Sequence, residues 1–160
     1  MFVVTANIKI FYNPEIFMMK HLTEKDLTSE LRAKGISPSP QRLAVYGYLK
    51  SHPVHPTADV LMRELKPFLP TLSLTTIYNT LKLFVAKKLI SEVIIEDGEL
   101  RFDADMRDHA HFKCVGCGEV FDLFPTGDKL ELSNLPLLPE GFTIETVHVC
   151  LRGKCANCAG

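Results

Sequence analysis

The stretch His109-Ala-His-Phe-Lys-Cys-Val-Gly-Cys117 joins a His-x-His pair directly to a Cys-x-x-Cys pair. A second pair, Cys155-Ala-Asn-Cys158, lies near the C-terminus with 37 residues between the two. Two such pairs supply the four thiolates of a tetrahedral zinc site, and such a closed site is structural. Four buried or reactive thiols are the alternative. The sequence therefore predicts a structural Zn²⁺ site formed by Cys114, Cys117, Cys155 and Cys158.

The two histidines are not needed for that site. Alternate residues of a β-strand project to one face, so His109 and His111 can share a second ion. Asp122 lies inside the apolar run Val120-Phe-Asp-Leu-Phe124, and burying a lone carboxylate costs several kcal/mol unless a cation compensates it. Taken singly, each of these side chains, and likewise Asp103 and His55, is better explained as a solvated polar group or as a core histidine with satisfied hydrogen bonds.

The chain after residue 108 is expected to form a small α/β unit. A unit of about 55 residues gains little stability from its core, so we expect a structural metal to stabilise it. The predicted strands are His109–Val115, Glu119–Phe124 and Phe142–Leu151, with a helix at Gly127–Leu135 between the second and third strands.

Four helices and a hairpin are expected before it. The caps and apolar spacing predict helices at Leu22–Lys34, Gln41–Lys50, Thr57–Lys66 and Ser73–Lys88. Two β-rich runs, Leu89–Ile95 and Leu100–Asp103, flank an Asp-Gly turn signal. Helices followed by a two-stranded hairpin outline a winged helix, a variant of the helix-turn-helix with an appended β-ribbon. The predicted class is α+β.

The fourth helix has two contrasting faces. Apolar residues at helical spacing predict a buried stripe, formed by Ile77, Leu81, Phe84 and Val85. The opposite face carries hydroxyl, amide, phenol and ammonium groups, which suit a DNA groove and its phosphates: Thr75, Thr76, Tyr78, Asn79 and Lys82. An ordinary solvated face is the alternative for an isolated helix.

Charge favours the DNA interpretation for the first half only. Residues 1–88 contain 12 Lys and Arg against 6 Asp and Glu, whereas residues 89–160 contain 6 against 13. A basic front half fits a polyanionic partner. Apolar content of 46% is ordinary for a globular protein, and no run approaches the length of a membrane span. Paired cysteines without a secretory signal predict a reducing, cytoplasmic location. Residues 1–20 are either an N-terminal extension or a misassigned start.

The chain resembles the ferric uptake regulator family of metal-responsive repressors from about His21 to Cys158. The resemblance rests on a combination of motifs: Pro40-Gln-Arg42, His55-Pro-Thr-Ala-Asp59, Ser73-x-x-Thr76-Ile-Tyr78-x-x-Leu81, Arg101-Phe-Asp103, Asp108-His-Ala-His111 and the two Cys-x-x-Cys pairs. It implies a homodimer with a winged-helix domain at residues 21–103, a hinge at residues 104–108, and a dimerisation and metal-binding domain at residues 109–160.

The same resemblance implies a regulatory metal between the domains. Its ligands would be His55, Asp103, His109, His111 and Asp122. Three imidazoles and two carboxylates suit Fe²⁺ or Mn²⁺. An aspartate at position 122, where iron sensors usually carry glutamate, resembles the peroxide-sensing branch of the family, in which the iron-bound protein loses its metal after oxidation of a ligand histidine, here His55 or His109.

DNA contacts follow from the resemblance as well. They are expected on the fourth helix and, more weakly, at the start of the second: Ser73, Thr75, Thr76, Tyr78, Asn79 and Arg42. The two-fold symmetry of a homodimer predicts a pseudo-palindromic operator in double-stranded DNA.

Three alternatives stay open. An iron- or zinc-uptake regulator of the same family would bind DNA without sensing peroxide. A zinc-ribbon interaction module would need neither histidine. A metal-dependent hydrolase could use the His-x-His pair to activate water, but the sequence offers no spare residue spaced as its general acid or base. A regulator rather than an enzyme is therefore expected.

Overall fold

The computed structural model describes residues 23–96, 99–124, 139–144 and 147–159. Within them, the residues up to Met106 form one compact unit and those from Arg107 form a second. The predicted N-terminal segment 1–20 and the predicted helix Gly127–Leu135 lie outside the described residues. No helix in the described ranges is long and apolar enough to cross a membrane.

The four predicted helices are confirmed, with ends that differ by a few residues. They are α1 (Glu24–Ala33), α2 (Pro40–Ser51), α3 (Ala58–Leu65) and α4 (Leu74–Ala86). Each follows a hydroxyl residue that accepts a hydrogen bond from a backbone N–H of the first turn: Thr23, Ser39, Thr57 and Ser73. Such caps satisfy donors that the helix itself leaves unpaired.

The core of this unit lies among the four helices. Its largest fully buried side chains come from every part of the unit: Leu31, Tyr46, Leu61, Leu65, Ile77, Leu81, Phe84 and Phe102. Burial of each large apolar side chain contributes about 1.5–3 kcal/mol. Three members of the predicted α4 stripe are buried, while Val85 is half-buried. The packing therefore leaves the opposite face of α4 in solvent.

The hairpin begins two residues later than predicted. Lys88 adopts a left-handed φ of 52°, Leu89 N–H bonds Phe84 O, and Lys88 N–H bonds Val85 O. This pair of bonds is a Schellman cap. It places Leu89 and Ile90 in the core rather than in the sheet. Strands β1 (Ser91–Glu96) and β2 (Glu99–Asp103) then pair antiparallel.

The second unit is a three-stranded sheet in the order β4-β3-β5. Central β3 (Ala110–Cys114) pairs antiparallel with β4 (Val120–Leu123) and parallel with β5 (Cys150–Gly153). A short helix, α5 (Ala156–Ala159), follows. The first two strands agree with prediction to within one residue at each end.

The predicted strand Phe142–Leu151 is wrong over most of its length. Residues 142–144 and 147–149 are not in a strand, and β5 starts only at Cys150. In the parallel register Cys150 lies beside His111. Residues before 149 therefore have no residue of β3 to pair with, because β3 begins at Ala110. Phe142 N–H also closes a turn onto Pro139 O, with Gly141 at φ 82°. A β-rich composition cannot form a strand without a partner strand.

Candidate metal centres and nucleic-acid interface

The four paired cysteines lie together in the second unit. Cys114 ends β3 and Cys117 follows in the next turn, whereas Cys155 precedes α5 and Cys158 lies within it. Their sulfurs are all within 4.8 Å of one another, and the sulfurs of Cys117 and Cys155 are 3.8 Å apart. Four zinc–sulfur bonds of about 2.3 Å in a tetrahedron require sulfurs about 3.8 Å apart. The donor set therefore fits zinc in both type and spacing.

The surroundings of Cys114 and Cys158 shift their pKa values in opposite directions. The N–H of Cys117 has the largest effect on Cys114, followed by that of Cys155, and together they lower the pKa of Cys114 to about 6. The hydrogen bond to Cys155 is the main reason why the pKa of Cys158 rises to about 12. Four adjacent thiols cannot all ionise without a cation, and a metal that removes this repulsion binds all four as thiolates.

A side chain at position 116 would collide with Cys158, which explains the glycine there. A Cβ atom there would lie 2.8 Å from the Cβ and 2.9 Å from the Sγ of Cys158. Only glycine therefore lets the second Cys-x-x-Cys pair approach the first.

The candidate nitrogen and oxygen ligands of the second unit lie on or beside adjacent strands. His111 and Asp122 are register partners in β3 and β4. The Nε2 atoms of His109 and His111 are 3.0 Å apart, and Asp122 Oδ1 is 3.5 Å from the first and 3.8 Å from the second. Arg107 O lies 2.7 Å from His109 Nδ1, so Nδ1 carries the proton and Nε2 keeps its lone pair for a metal.

His55 and Asp103 form a second group in the first unit. His55 Nε2 lies 3.8 Å from Asp103 Oδ2, and both side chains are buried. The backbone of His55 is left-handed at φ 48°, a conformation that is costly for residues other than glycine and that clusters at functional sites. The other carboxylate oxygen, Asp103 Oδ1, accepts the N–H of Asp105 at 2.8 Å. The bond from Asp105 holds the carboxylate of Asp103, and His55 and Asp103 are both candidate ligands.

Arg101 is the residue in this group that we missed. Its Nη1 donates to His55 O at 3.1 Å, while Nη2 and Nε donate to Glu99 Oε2 at 2.9 and 3.1 Å. The signal for it was its position two residues before Asp103, because alternate residues of β2 share a face.

The predicted DNA-contact residues of α4 fall into two groups. Thr75, Tyr78 and Asn79 are exposed, with Tyr78 at 39%. By contrast, the hydroxyls of Ser73 and Thr76 lie 2.8 Å apart, and Ser73 Oγ accepts the N–H of Thr76. The latter pair therefore caps and orients the helix, while the former group faces solvent.

Arg42 lies outside α4, in the first turn of α2. Its Nη1 donates to Ser37 O at 2.6 Å, and its side chain is half-buried. This bond holds Arg42 close to its own loop, so its reach is short. The other guanidinium donors can still bind a phosphate.

One face of the second unit's sheet is apolar and exposed. Phe112 lies opposite Phe121 on one side and Leu151 on the other. Phe121, Leu123 and Leu151 are 38%, 39% and 50% exposed. Because Asp122 and His111 alternate with these residues, the metal-ligand row occupies the opposite face. A contiguous apolar patch of this kind is typical of an interaction surface.

The sequence and the fold both have known relatives. The sequence profile of the ferric uptake regulator family matches residues 33–151. The peroxide-responsive repressor PerR of Staphylococcus aureus is 34% identical over 144 residues, which cover 90% of this chain and 96% of that protein.

Two solved structures show the same fold. The ferric uptake regulator of Helicobacter pylori, described as having three functional metal-binding sites, has a TM-score of 0.64 at 16% identity, covering 89% of this chain and 98% of that one. That of Vibrio cholerae has a TM-score of 0.59 at 22% identity, covering 80% and 98%.

Proposed function

Because this chain belongs to the ferric uptake regulator family, we propose that it is a metal-dependent transcriptional repressor that responds to peroxide. In this proposal a homodimer carries one structural Zn²⁺ and one exchangeable Fe²⁺ or Mn²⁺ per chain, and it binds a pseudo-palindromic operator. The similarity to the staphylococcal peroxide-responsive repressor over nearly the whole chain supports this assignment. A regulator that acts on DNA and whose five cysteines form no disulfide belongs in the reducing cytoplasm.

The observation that carries the proposal is the chemistry of the two ligand groups. In the second unit two imidazoles and one carboxylate have donor atoms 3.0–3.8 Å apart. In the first unit His55 and Asp103 present a further imidazole and carboxylate 3.8 Å apart. Mixed imidazole and carboxylate donors suit Fe²⁺ or Mn²⁺, although such a site does not select them by affinity alone. Neither group contains a thiolate, which separates both from the zinc site.

We propose that the two groups bind one ion jointly. The ligands in this proposal are His55, Asp103, His109, His111 and Asp122. One group lies in the first unit, called here the helical unit, and the other lies in the second, called the sheet unit. An ion that needs both groups favours those conformations in which they meet, so binding shifts the population toward one spacing of the two α4 helices in a dimer. Metal affinity is thereby coupled to DNA affinity.

Peroxide acts on the same ligands. A bound Fe²⁺ would activate hydrogen peroxide beside the imidazole rings, so that one peroxide oxygen is added to a ring and the other leaves as water. An oxidised His55 or His109 is a poorer donor, so the chain loses affinity for the ion and then for DNA. The buried position of His55 and the 4% exposure of the His109 side chain leave the ligands little other contact with solvent oxidants. This limits oxidation to peroxide that reacts at the site itself.

Iron regulation without peroxide sensing is the second candidate. The residue at position 122 separates the two, because members of the family that sense iron usually carry glutamate there. This chain has Asp122, and it lies 3.5 Å from the Nε2 of His109, a ring that we expect to be oxidised. The aspartate at this position favours the peroxide-responsive repressor.

The exposed sheet face supports a homodimer. Phe121, Leu123 and Leu151 form an apolar surface on the side opposite the metal ligands. A symmetric dimer can bury such a surface against itself without disturbing the ligands. It also brings two copies of α4 to bear on one operator.

A hydrolase is disfavoured by the same comparisons. The matched family and the staphylococcal relative are regulators. Turnover of a phosphoester or an amide by the metal-loaded protein, abolished by His109→Ala, would replace our proposal with that alternative.

The proposal is tested by His109→Ala. We expect this variant to keep its zinc but to lose Mn²⁺-dependent binding to DNA fragments selected by the wild-type protein. His148→Ala is the matched control, because His148 is exposed and lies outside the ligand group. Undiminished metal-dependent DNA binding by His109→Ala would show that the imidazole is not a regulatory ligand and would favour the zinc-ribbon alternative.

A further inference from the structure

The loop that carries His55 has an unfavourable backbone. His55 has a φ of 48°, whereas residues with a Cβ atom rarely adopt the left-handed region. A residue persists there when the surrounding structure holds it in that conformation. The contacts of this loop therefore show what sets the direction of the His55 ring.

Strand β2 supplies those contacts. Phe102 N–H donates to Pro56 O at 3.2 Å, and Thr57 forms an isolated antiparallel bridge with Arg101. The loop thus runs along the free edge of the hairpin as a short third strand. His55 lies one residue beyond this pairing, where the backbone ladder no longer constrains it.

The Arg101 side chain extends the constraint to His55. Its Nη1 donates to His55 O at 3.1 Å, and the rest of the guanidinium is held by Glu99 through bonds of 2.9 and 3.1 Å. The arginine side chain is only 17% exposed. A planar fork can bind a carboxylate with two donors and still present a third to a carbonyl, which an ammonium group cannot do in one fixed geometry.

The hydrogen bond from Arg101 to His55 O lies close to the proposed metal ligands. Arg101 and Asp103 are alternate residues of β2 and project to one face. His55, clamped by the first, has its Nε2 3.8 Å from the second. One strand therefore holds the carboxylate ligand directly and the imidazole ligand through its backbone.

We propose that Arg101, oriented by Glu99, is a positioning residue for the His55–Asp103 ligand pair. It fixes the strained backbone of His55 before the ion arrives, so that the ion does not have to order this loop. The inference rests on the proposed function, since it assumes that His55 binds a metal.

The test uses the full-length, zinc-loaded chain and Mn²⁺ alone as the probe, measured by competition with a chelating fluorophore. We expect Arg101→Gln to raise the Kd for Mn²⁺ about 10- to 100-fold, as is typical for loss of a group that orients a metal ligand. Glu99→Gln keeps the arginine but loosens it, and we expect a smaller rise, of about tenfold. Arg63→Gln is the matched control, because Arg63 pairs with Glu64 within α3 and its side chain is 72% exposed.

Two readouts separate positioning from a general loss of stability. In metal-free protein, hydrogen exchange should become faster in residues 52–57 of Arg101→Gln but stay unchanged in α1 and α4. In a His55→Ala background, Arg101→Gln should not raise the Kd further, because no ring is left to position. A further rise in that background, or exchange that increases throughout the unit, would overturn the inference.

The remaining outcomes are also decisive. If His55→Ala raises the Kd and Arg101→Gln does not, the inference fails while the proposed function stands. If His55→Ala leaves the Kd unchanged, His55 is not a ligand, and both fail. Should Arg101→Gln not fold, Glu99→Gln carries the test with the same two outcomes, since it leaves the Arg101 side chain in place.

Discussion

His55 combines a proposed metal-binding imidazole with a strained backbone, and two substitutions separate these properties. His55→Ala and His55→Gly both delete the imidazole, but only glycine adopts a φ of 48° without steric cost. A left-handed conformation costs a residue with a Cβ atom about 1–2 kcal/mol. Glycine loses about 0.5–1 kcal/mol to its greater freedom in the unfolded chain. We therefore expect the glycine variant to exceed the alanine variant by about 0.5–1 kcal/mol in free energy of unfolding.

Urea unfolding followed by tyrosine fluorescence measures this difference in the helical unit. The chain has no tryptophan, and its four tyrosines all precede residue 79, so the signal does not come from the sheet unit. With a denaturant slope near 1 kcal/mol per molar, the midpoints should differ by roughly 0.5–1 M. The exchangeable metal is removed beforehand, because ligand binding would stabilise the folded state unequally.

Metal binding should fail equally in both variants. We expect the Kd for Mn²⁺ to rise by at least about 100-fold, which corresponds to roughly 2.7 kcal/mol. His52→Ala is the matched control, since the His52 ring stacks on Tyr48 with centroids 4.1 Å apart and its φ of −127° is ordinary. A glycine variant less stable than the alanine variant would refute the strain argument, and retained Mn²⁺ affinity in either would refute the ligand assignment.

Three further predictions concern the zinc site, helix α4 and the dimer. Cys155→Ser should release the zinc, measured by a colorimetric metal assay, and unfold the sheet unit, whose described residues bury few apolar side chains; a folded variant with full zinc content would contradict the four-thiolate site. Tyr78→Ala should weaken operator binding by about 1–3 kcal/mol, roughly 5- to 150-fold, if it reads a base, while the Kd for Mn²⁺ stays unchanged; undiminished DNA affinity would remove Tyr78 from the interface. Leu151→Glu should convert dimers to monomers in sedimentation equilibrium, whereas Ile94→Glu, at a side chain that is more exposed than Leu151 but lies in the β1–β2 hairpin, should not; a dimeric Leu151→Glu would place the interface elsewhere.

Local signals predicted most of the helical unit. A hydroxyl residue precedes each of the four helices, and each of these hydroxyls is used as a cap in the structure. The hairpin was equally readable from its Asp-Gly turn signal and β-rich flanks. The late start of β1 was not, because it depends on a Schellman cap with Lys88 in a position where glycine is usual.

Non-local pairing limited the prediction for the sheet unit. The run Phe142–Leu151 is as β-rich as a true strand, but its extent is set by where β3 begins, at Ala110. A parallel register of this kind joins residues far apart in sequence and leaves no local mark. The steric need for Gly116 beside Cys158 is hidden for the same reason.

The sequence identified the candidate ligands by residue type, but it did not show which contacts hold them in place. The His-x-His pair and the lone acid of β4 stood out as residues that needed an explanation. What holds them was not visible, since the bond from Arg101 to His55 O spans 46 residues. The left-handed backbone of His55 is likewise a property of the folded loop, with proline rather than glycine beside it in the sequence.

The most direct test of a peroxide-responsive repressor compares Fe²⁺ with Mn²⁺ on one DNA fragment. The zinc-loaded protein is bound to an operator selected in Mn²⁺, loaded with either ion, and exposed to hydrogen peroxide while fluorescence anisotropy follows the complex. Peptide mass spectrometry then examines His55 and His109. We expect dissociation only with Fe²⁺, accompanied by the gain of one oxygen atom on one of these histidines. Dissociation with both ions, or release from DNA without histidine oxidation, would contradict the account.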